Sequence, residues 1–341
     1  MPSVLEQGSV FADRFAIEAR VASGGMGTVY RARDRSSGER VALKLVHAGE
    51  QNQEAERFAR EARVLAELRH PNIVSYISHG EAPCGQLFLA MEWLDGEDLA
   101  SRLRRGPLSV SDAQTLVASV ASALESAHER GIVHRDLKPS NLFLGDGRIE
   151  RVIVLDFGIA RSMGTLGGLT ATGLLIGTPN YMAPEQARSS TDLTPAVDIF
   201  SLGCVVYEAL TGRPPFEADH VAAVLARILF DAPLPVRRVR PNVPEAWERL
   251  IARMLDKDPE KRPRDAAALR AEVAELPLAQ EADAVSERWT APRRRRGRAP
   301  SSPSSAWCSR PGRRRAITTS GPSRSRAGCG PRAIIARRSF A

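Results

Sequence analysis

The run HRDLKPSN at residues 134–141 constrains this chain most, because Asp156 opens a DFG triplet fifteen positions after Asn141. Asp136, Asn141 and Asp156 present oxygen atoms, which are the ligands that Mg²⁺ takes in phosphate chemistry. Lys138 stands between the first two and can hold a transferring phosphate. The grouping therefore predicts a magnesium-dependent site that acts on phosphate.

The positive charge of the chain is confined to its last part. The 341 residues have a formal net charge of +8, but residues 291–341 hold fourteen Arg and no Lys, Asp or Glu. Residues 1–290 hold 34 basic and 40 acidic side chains, a balance of −6. A basic folded surface for nucleic acid is therefore not indicated.

Cysteine usage and hydropathy bear on the location of the protein. Cys84, Cys204, Cys308 and Cys329 show neither CxxC spacing nor clustering with His, which argues against a metal site and for a reducing, cytoplasmic compartment. No run of about eighteen apolar residues occurs, so no membrane span is expected. Residues 1–8 lack the basic start and apolar core of a signal peptide.

Glycines join two predicted strands near the N-terminus. Apolar residues alternate over residues 15–21 and again over residues 28–32, and residues 22–27 read ASGGMG. Glycines between two strands form a hairpin, whereas the dinucleotide fingerprint leads from a strand into a helix. A loop over a phosphate and a merely flexible hairpin both remain open interpretations.

Lys44 and Glu61 are two charges in apolar surroundings. Residues 41–46 form a third predicted strand that is apolar apart from Lys44. Residues 54–69 form a predicted helix, and Glu61 shares its apolar stripe with Phe58, Leu65 and Leu68. We expect Lys44 to pair with Glu61, because an unpaired charge on a buried face is costly. An ordinary helix-to-strand ion pair without a role in binding is the alternative.

The remaining pattern separates a small β-rich lobe from a larger helical one, which predicts the α+β class. Strands at residues 75–79 and 86–93 bring the first lobe to about five strands. From Leu99 onward the pattern is helical, and one helix is predicted to open at Ser111. Later helices are predicted at about residues 196–211, 218–230, 245–255 and 265–275. Beyond Leu276, Pro, Ser, Gly, Ala and Arg dominate, which is typical of disorder.

Taken in order, the motifs of this chain resemble the protein-kinase signature set. They are residues 24–30 (GGMGTVY), residues 41–44 (VALK), Glu61, residues 134–141, residues 156–158 and residues 183–185 (APE). The resemblance runs from about Asp13 to Leu276, and the GGMG loop with residues 177–185 and 211–216 is most similar to bacterial Ser/Thr kinases of eukaryotic type. It implies a bilobal protein-kinase fold with a lead-in at residues 1–12, an N-lobe at about 13–93, a C-lobe at about 94–276 and a tail at 277–341.

The resemblance implies an ATP site and a role for each matching residue. Asp136 would accept the proton of the substrate hydroxyl, Lys138 would stabilise the γ-phosphoryl group, and Lys44 would hold the α- and β-phosphates. Asn141 and Asp156 would ligate Mg²⁺, with Mn²⁺ as the alternative metal. The implied nucleotide-binding residues are Val21, Ala22, Ser23, Gly24, Gly25, Met26, Gly27, Val29, Ala42, Lys44, Glu61, Met91, Glu92, Leu94, Asn141 and Asp156.

Two further matches concern the nucleotide itself. Met91 falls at the gatekeeper position behind the adenine, and residues 92–94 would be the hinge whose backbone groups read the base. One position departs from the family, since Ala22 replaces its first glycine. A methyl group there restricts positive φ and crowds the phosphates, so a modest loss of ATP affinity is expected.

Other matches imply structural roles. His134 would brace the catalytic loop and not transfer protons. Asp198 would be a buried residue that anchors the same loop. Glu185 of the APE triplet would pair with Arg262 late in the domain.

The substrate class also follows from the resemblance. Lys138 after the catalytic Asp and Thr178 before the APE triplet match Ser/Thr kinases. Tyrosine kinases carry a different catalytic loop, and small-molecule kinases of related fold usually lack the DFG and APE triplets. Both other classes therefore fit less well.

Arg135 before the catalytic Asp marks, in the family, activation by phosphorylation of the activation loop. That loop spans about residues 159–182, and its Thr residues include Thr165, Thr170 and Thr172. Thr170 and Thr172 are the predicted autophosphorylation sites, modified in trans within a kinase homodimer. A polar solvated loop without modification is the alternative.

The predicted activity is transfer of the γ-phosphate of Mg-ATP to Ser and Thr hydroxyls of proteins, by a non-specific serine/threonine protein kinase in signalling. A pseudokinase scaffold is the first alternative, and intact Lys44, Asp136, Asn141 and Asp156 argue against it. The second alternative gives the main role to the basic tail, whose Arg residues would contact polyanions in a salt-dependent way. An Arg-rich stretch without acids is equally what out-of-frame reading of GC-rich DNA produces.

Overall fold

The computed structural model describes residues 5–24, 27–46, 52–157, 179–190 and 192–277, and the side chains of residues 52–57 are left aside. All of these residues belong to one unit of the chain. Some sequence predictions lie outside the described residues. They concern Gly25, Met26, Gly158, Thr165, Thr170, Thr172, Thr178, Cys308, Cys329 and the whole tail from residue 278.

The first lobe is built on a six-stranded antiparallel sheet with the order β1-β2-β3-β4-β6-β5. Its strands are β1 (Val10–Phe11), β2 (Phe15–Gly24), β3 (Gly27–Asp34), β4 (Arg40–Val46), β5 (Tyr76–Glu81) and β6 (Leu87–Glu92). The predicted hairpin is confirmed, because Gly24 pairs with Gly27 at the end of β2 and β3. Gly27 has φ +149°, and a Cβ there would lie 2.2 Å from the carbonyl oxygen of Leu45, so only glycine fits.

The two faces of this sheet pack into different cores. Ala42, Leu89 and Met91 face the main core, which continues into the second lobe. Phe15 and Phe88 belong to a smaller cluster on the opposite face, where their rings meet edge to face with centroids 5.6 Å apart. The alternation along β6 therefore separates an inner, site-facing side from an outer one.

Helix α1 (Asn52–Glu67) lies against β5. The predicted apolar stripe is confirmed, since Phe58, Leu65 and Leu68 are all buried. The helix ends at Glu67, two residues before the predicted position, and Pro71 restricts only His70, so it does not account for the difference.

The second lobe is mainly helical. Its helices are α2 (Leu99–Leu103), α3 (Val110–His128), α4 (Pro184–Ala187), α5 (Ala196–Thr211), α6 (Val221–Phe230), α7 (Val236–Val239), α8 (Glu245–Met254) and α9 (Ala266–Ala274). The four later predicted helices are confirmed as α5, α6, α8 and α9. The predicted start of α3 at Ser111 is wrong, because the Ser109 side chain caps the helix by accepting the N–H of Asp112.

Helix α5 is the centre of this lobe. Fourteen of its sixteen residues are buried, and Cys204 is among them. The helix ends at Gly212, whose φ of +78° is the left-handed conformation that terminates many helices.

A three-stranded sheet at the junction of the lobes is absent from the sequence prediction. It consists of β7 (Gly96–Asp98), β8 (Leu142–Gly145) and β9 (Val152–Val154). Strands β8 and β9 therefore interrupt the helical pattern that was predicted from Leu99 onward. Strands of three or four residues are too short to show an alternation.

The α+β class, with a β-rich first lobe and a helical second lobe, is confirmed. Among the residues that the structure describes, no helix has both the length and the apolar character needed to cross a bilayer.

Candidate active site

Asp136 lies at the centre of a polar cluster in the second lobe. Lys138 donates from Nζ to Oδ2 of Asp136 at 2.8 Å. Asn141, in the 3-10 turn Pro139–Asn141, donates from Nδ2 to the Asp136 carbonyl oxygen at 2.8 Å and to Oδ2 at 3.3 Å. The structure therefore brings together three residues that the sequence predicts for one site.

The buried carboxylate of Asp198 anchors this loop. The backbone N–H groups of His134 and Arg135 donate to it at 2.8 and 2.9 Å, and His128 Nε2 lies 2.8 Å from Oδ2. The predicted tie between Asp198 and the catalytic loop is confirmed. Because α5 carries Asp198 and α3 carries His128, these two helices fix the backbone just before Asp136.

His134 braces the same loop with its ring. Its Nε2 lies 2.8 Å from the carbonyl oxygen of Leu155, which can only accept, so Nε2 carries the proton. Its Nδ1 accepts the backbone N–H of Asp136 at 3.2 Å. Both ring nitrogens are engaged and the side chain is fully buried, which confirms the bracing role.

Two residues of the site have left-handed backbone. Arg135 has φ +63° and Asp156 has φ +52°, which non-glycine residues rarely adopt without support from their surroundings. Arg135 is held on both sides, since its N–H donates to Asp198 and its carbonyl oxygen accepts from Gln186 Nε2 at 2.8 Å. These two contacts therefore hold Arg135 in its unfavourable backbone conformation.

Lys44 of the first lobe forms an ion pair with Asp156 of the second, with Nζ 2.7 Å from Oδ1. Removal from water would raise the pKa of Asp156, but the Lys44 ammonium, assisted by Lys138, holds that pKa below its ordinary value. The carboxylate is therefore charged and suited to bind a cation.

Hydrogen bonds between the lobes set this ion pair in place. The N–H of Val154 donates to the carbonyl oxygen of Asn72 at 2.8 Å, and the N–H of Val74 donates to that of Val154 at 3.1 Å. The side chain of Asn72 also donates to the carbonyl oxygen of Val152 at 2.8 Å. Strand β9 is thereby attached to the first lobe, and Asp156 follows two residues after its end.

Glu61 lies on α1, partly exposed. It lines a cavity of about 240 Å³ together with Leu65, Arg135 and Phe157. Since the ion pair found for Lys44 is the one with Asp156, the pairing of Lys44 with Glu61 stays a prediction.

The strand register aligns the residues predicted to hold the nucleotide. Ala22 is paired with Val29, and Val29 with Lys44, so these side chains share one face of the sheet. Ala42, two residues before Lys44, is paired with Met91, and both are buried. A row of small and apolar side chains thus leads from the glycine loop to the end of β6.

The predicted hinge, residues 92–94, begins at Glu92, which is the last residue of β6. Glu92 accepts the N–H of Ser75 on Oε1 at 2.8 Å, so its side chain is engaged within the first lobe. Leu94 is partly buried. At the other end of the row, Val21 is partly buried whereas Ser23 and Gly24 are exposed.

The expectation that Ala22 restricts a positive φ is wrong. Ala22 lies in the extended strand β2, paired with Val29, and it is not among the residues of positive φ. Its methyl group therefore strains no backbone here, and crowding against phosphates stays a prediction.

The predicted pair of Glu185 and Arg262 is confirmed. Nη1 and Nη2 of Arg262 donate to the two carboxylate oxygens at 2.7 and 2.9 Å, a bidentate geometry. Arg262 also donates to the carbonyl oxygens of Asp256 and Ala196, and its side chain is fully buried. The pair joins α4 to the segments around α5 and α9.

Sequence reasoning missed three side chains near the site. Gln186 clamps the carbonyl oxygen of Arg135 and accepts the N–H of Ala183 at 3.0 Å. His128 is the third partner of Asp198. Glu208 accepts the hydroxyl of Tyr181 at 2.6 Å. In the sequence, each of these side chains shows only as a polar residue within a helical segment. Such a pattern does not reveal which group the side chain contacts.

The donor atoms suit a cation that arrives with phosphate. The described residues hold no group of three or more His, Cys, Asp or Glu placed to bind a metal. Mg²⁺ usually needs only one or two protein oxygens besides substrate phosphates and water. Asn141 commits its amide nitrogen to Asp136, which leaves its carboxamide oxygen for a cation beside the Asp156 carboxylate.

Comparison with known proteins gives consistent matches. The family model for the protein kinase domain matches residues 15–273. The serine/threonine-protein kinase pkn3 of Myxococcus xanthus is 41% identical over 276 residues, which cover 78% of this chain and 50% of that protein. The serine/threonine-protein kinase PknJ of Mycobacterium tuberculosis is 40% identical over 269 residues, which cover 77% and 45%. The chain thus spans about half the length of the curated relatives it matches.

Two solved structures share the fold. The kinase domain of Mycobacterium tuberculosis PknI superposes with a TM-score of 0.63 at 26% identity, covering 80% of this chain and 99% of that one. The structure of Rad53 residues 1–466 in complex with AMP-PNP superposes with a TM-score of 0.65 at 26% identity, covering 78% and 67%.

Proposed function

Because the chain belongs to the protein kinase family, among the bacterial Ser/Thr kinases of eukaryotic type, we propose that it transfers the γ-phosphate of Mg-ATP to Ser and Thr hydroxyls of proteins. One observation carries the proposal. The cluster of Asp136, Lys138 and Asn141 lies beside the ion pair of Lys44 and Asp156, because the charge of Lys138 acts on the Asp156 carboxylate and the N–H of Leu155 donates to the Asn141 carbonyl oxygen at 2.8 Å. Phosphoryl transfer needs this combination of a proton acceptor, cations and metal-binding oxygens.

Asp136 and Lys138 would act on the reacting atoms. Asp136 would orient the substrate hydroxyl and take its proton as the new O–P bond forms. Lys138, 2.8 Å from that carboxylate, would neutralise the charge that gathers on the transferring phosphoryl group. Because the backbone before Asp136 is fixed by Asp198, the carboxylate is positioned before the substrate arrives.

The first lobe would hold the ATP. The glycine hairpin would cover the phosphates with backbone N–H groups, and Lys44 would leave its ion pair to bind the α- and β-phosphates. Val29, Ala42 and Met91 would form the wall against the base, with the backbone of residues 92–94 beside it. The similar structure of Rad53 contains AMP-PNP, an analogue of ATP, which supports ATP as the ligand of this fold.

Asn141 and Asp156 would hold Mg²⁺ or Mn²⁺ through oxygen atoms. When bound, such an ion supplies charge neutralisation at the phosphate oxygens. Before the ion and ATP bind, Lys44 and Lys138 keep Asp156 ionised, so that its carboxylate is ready to receive the ion.

Regulation by autophosphorylation completes the proposal. Thr170 and Thr172 would be modified in trans within a transient homodimer, and Arg135 would receive the phosphate. A cytoplasmic location fits the supply of ATP and the free thiols of Cys84 and Cys204.

The deciding experiment is transfer of radiolabelled phosphate from Mg-ATP to the protein and to a generic basic protein substrate, with the labelled residues identified. We expect label on Ser and Thr, and a loss of about a thousandfold or more in Asp136→Asn and Lys44→Met. Lys261→Met is the matched control, because that side chain is 67% exposed and outside the site. Wild-type protein that binds ATP but transfers no label would overturn the proposal.

The phosphosites are tested separately. Thr170→Ala combined with Thr172→Ala is expected to lower activity toward the added substrate at least tenfold, with Thr165→Ala as the control within the same loop. Full activity of the double variant would show that the loop needs no modification.

A further inference from the structure

Tyr76 carries a buried hydroxyl group that forms no hydrogen bond with any residue that the structure describes. The residue is only 4% exposed, so solvent does not replace the missing partner. A buried Tyr hydroxyl usually has a hydrogen-bond partner, because a buried donor without one destabilises the fold. Phe would pack in the same place without this cost, so the hydroxyl requires an explanation.

The strand register places Tyr76 on the inner face of the first lobe. Tyr76 is paired with Met91 of β6, and Met91 is paired with Ala42 of β4. Side chains of paired residues share one face of a sheet, as do side chains two residues apart along a strand. All three residues belong to the main core, and Lys44 follows Ala42 by two positions. Tyr76 therefore lies on the same side of the sheet as Lys44.

The backbone that leads to Tyr76 runs alongside the backbone that leads to Asp156. Ile73 and Val154 form a parallel bridge, which two backbone hydrogen bonds of 2.8 and 3.1 Å support. In a parallel pair both segments advance in the same direction. Tyr76 and Phe157 each follow the bridge by three residues, and both are buried in the main core. The side chain of Tyr76 is thus placed beside the turn that the chain makes at Asp156.

The groups that act on the hydroxyl agree with this placement. Burial raises the pKa of the Tyr76 hydroxyl, the charge of Asp156 raises it further, and the backbone N–H of Phe157 acts in the opposite direction. The hydroxyl therefore keeps its proton at any ordinary pH. Since a protonated phenol can donate a hydrogen bond, Tyr76 presents a donor on the side of a carboxylate.

The carboxylate of Asp156 loses a contact when ATP binds. Lys44 contacts its Oδ1 at 2.7 Å, and under the proposed function Lys44 leaves this atom for the α- and β-phosphates. Asp156 also has φ +52°, a conformation that non-glycine residues keep only where their surroundings support it. A carboxylate that holds a metal ion is usually oriented by a hydrogen bond from a neighbouring group.

We propose that Tyr76 is a positioning residue of the metal site: when Lys44 moves to the phosphates, the Tyr76 hydroxyl donates to the Asp156 carboxylate and keeps it directed at the ion. The inference rests on the proposed function, because it concerns the same site. It explains why the core holds Tyr and not Phe at this position. In the structure described here, Lys44 is the group that contacts the Asp156 carboxylate, so the hydroxyl has no partner there.

The test removes the hydroxyl and keeps the ring. Tyr76→Phe and the wild type are compared for binding of Mn²⁺ in the presence of AMP-PNP, measured from the electron paramagnetic resonance signal of the free ion. We expect the Mn²⁺ affinity of the variant to be about tenfold lower, as for other groups that orient a metal ligand. The temperature of half-unfolding without ligands should be equal to or above that of the wild type, because the variant loses a buried donor that had no partner.

Tyr30→Phe is the matched control. Tyr30 is 2% exposed and lies in the smaller core on the outer face of the sheet, where its hydroxyl accepts the N–H of Leu5 at 3.2 Å. This variant should unfold at a lower temperature than the wild type and bind Mn²⁺ with unchanged affinity. Binding of AMP-PNP in the presence of EDTA should be the same in both variants and the wild type. In transfer assays, Tyr76→Phe alone should need about tenfold more Mg²⁺ for half of its maximal rate.

Three results would contradict the inference, and they are distinguishable. Unchanged Mn²⁺ affinity in Tyr76→Phe would overturn it while leaving the proposed function intact. An equal loss of AMP-PNP affinity with and without the metal would also overturn it, because the hydroxyl would then act through packing. Wild-type protein that binds AMP-PNP but no Mn²⁺ would overturn the proposed metal site and, with it, the role of Tyr76.

Discussion

The carboxylate of Asp198 holds Arg135 in a left-handed backbone conformation: Oδ1 accepts the Arg135 N–H at 2.9 Å, and Arg135 has φ +63°. Its other oxygen, Oδ2, accepts from the N–H of His134 and lies within hydrogen-bond distance of His128. One fully buried side chain thus sets the backbone of the two residues that precede Asp136. The position of the proposed proton acceptor depends on a residue in another helix.

We expect Asp198→Asn to destabilise the fold by about 2–4 kcal/mol. The amide replaces one acceptor oxygen by an NH₂ group, which then faces a backbone N–H or His128, so that a buried donor loses its partner. Denaturant unfolding followed by circular dichroism measures the change.

Asp146→Asn is the matched control for this substitution. Asp146 is 57% exposed and pairs with Arg151 at the surface, so its loss should change the free energy of unfolding by less than about 0.5 kcal/mol. Equal changes in unfolding free energy at positions 146 and 198 would show that the buried hydrogen bonds of Asp198 stabilise the fold no more than the exposed contact of Asp146.

Removing one partner of the Glu185–Arg262 pair should destabilise the fold far more than replacing both partners together. Arg262→Met alone leaves the partly buried Glu185 without its partner and should cost about 3–5 kcal/mol. Glu185→Leu combined with Arg262→Met removes both charges and should cost less than either single change. A double-mutant cycle of unfolding free energies measures this.

The exposed pair of Glu245 and Arg249 on α8 provides the comparison. Both side chains are about two-thirds exposed, at 64% and 65%, so Arg249→Met should cost less than about 0.5 kcal/mol. Additive effects in the cycle at Glu185 and Arg262 would contradict the coupling that the bidentate geometry indicates.

The polar cluster around Asp136 could be predicted because its members are close in sequence. Asp136, Lys138 and Asn141 lie within six residues, so a single loop brings them together whatever the rest of the chain does. The pair of Glu185 and Arg262 was accessible only through the family resemblance, since 77 positions separate the two residues.

Other features depend on three-dimensional packing that a sequence pattern does not carry. Lys44 forms an ion pair with Asp156, which is distant in sequence, and this contact depends on how the two lobes are placed. The left-handed backbone of Arg135 follows from clamping by Asp198 and Gln186, which are distant in sequence. Strands β7, β8 and β9 are each only three or four residues long, and they form by pairing with their neighbours in the sheet.

Glu208 should make stability fall as pH rises. Removal from water raises its pKa, the neighbouring Glu217 raises it further, and the hydroxyl of Tyr181 only partly opposes this. Between the ordinary value of 4.5 and the raised value, the folded state binds more protons than the unfolded state, so stability declines over that range and is level above it.

Glu208→Gln should therefore flatten the pH dependence of the unfolding free energy and stabilise the protein at pH 7, because the amide oxygen still accepts from Tyr181. Unfolding free energies measured between pH 4.5 and 8 test this. Glu245→Gln, at an exposed position, should leave the profile of the wild type unchanged. If Glu208→Gln is less stable than the wild type at pH 7, the folded protein favours the charged form of Glu208, which would contradict this prediction.

Ala22→Gly should tighten ATP binding by less than about threefold, or about 0.7 kcal/mol. Ala22 already lies in extended backbone opposite Val29, so glycine releases no strain there and adds flexibility to the hairpin. Any gain can come only from removing the methyl group beside the phosphates. Titration calorimetry with Mg-ATP measures the affinity, and Ser23→Gly, one position further along the same strand, is the matched control. A gain of more than about tenfold at position 22 alone would mean that the methyl group keeps the hairpin away from the nucleotide.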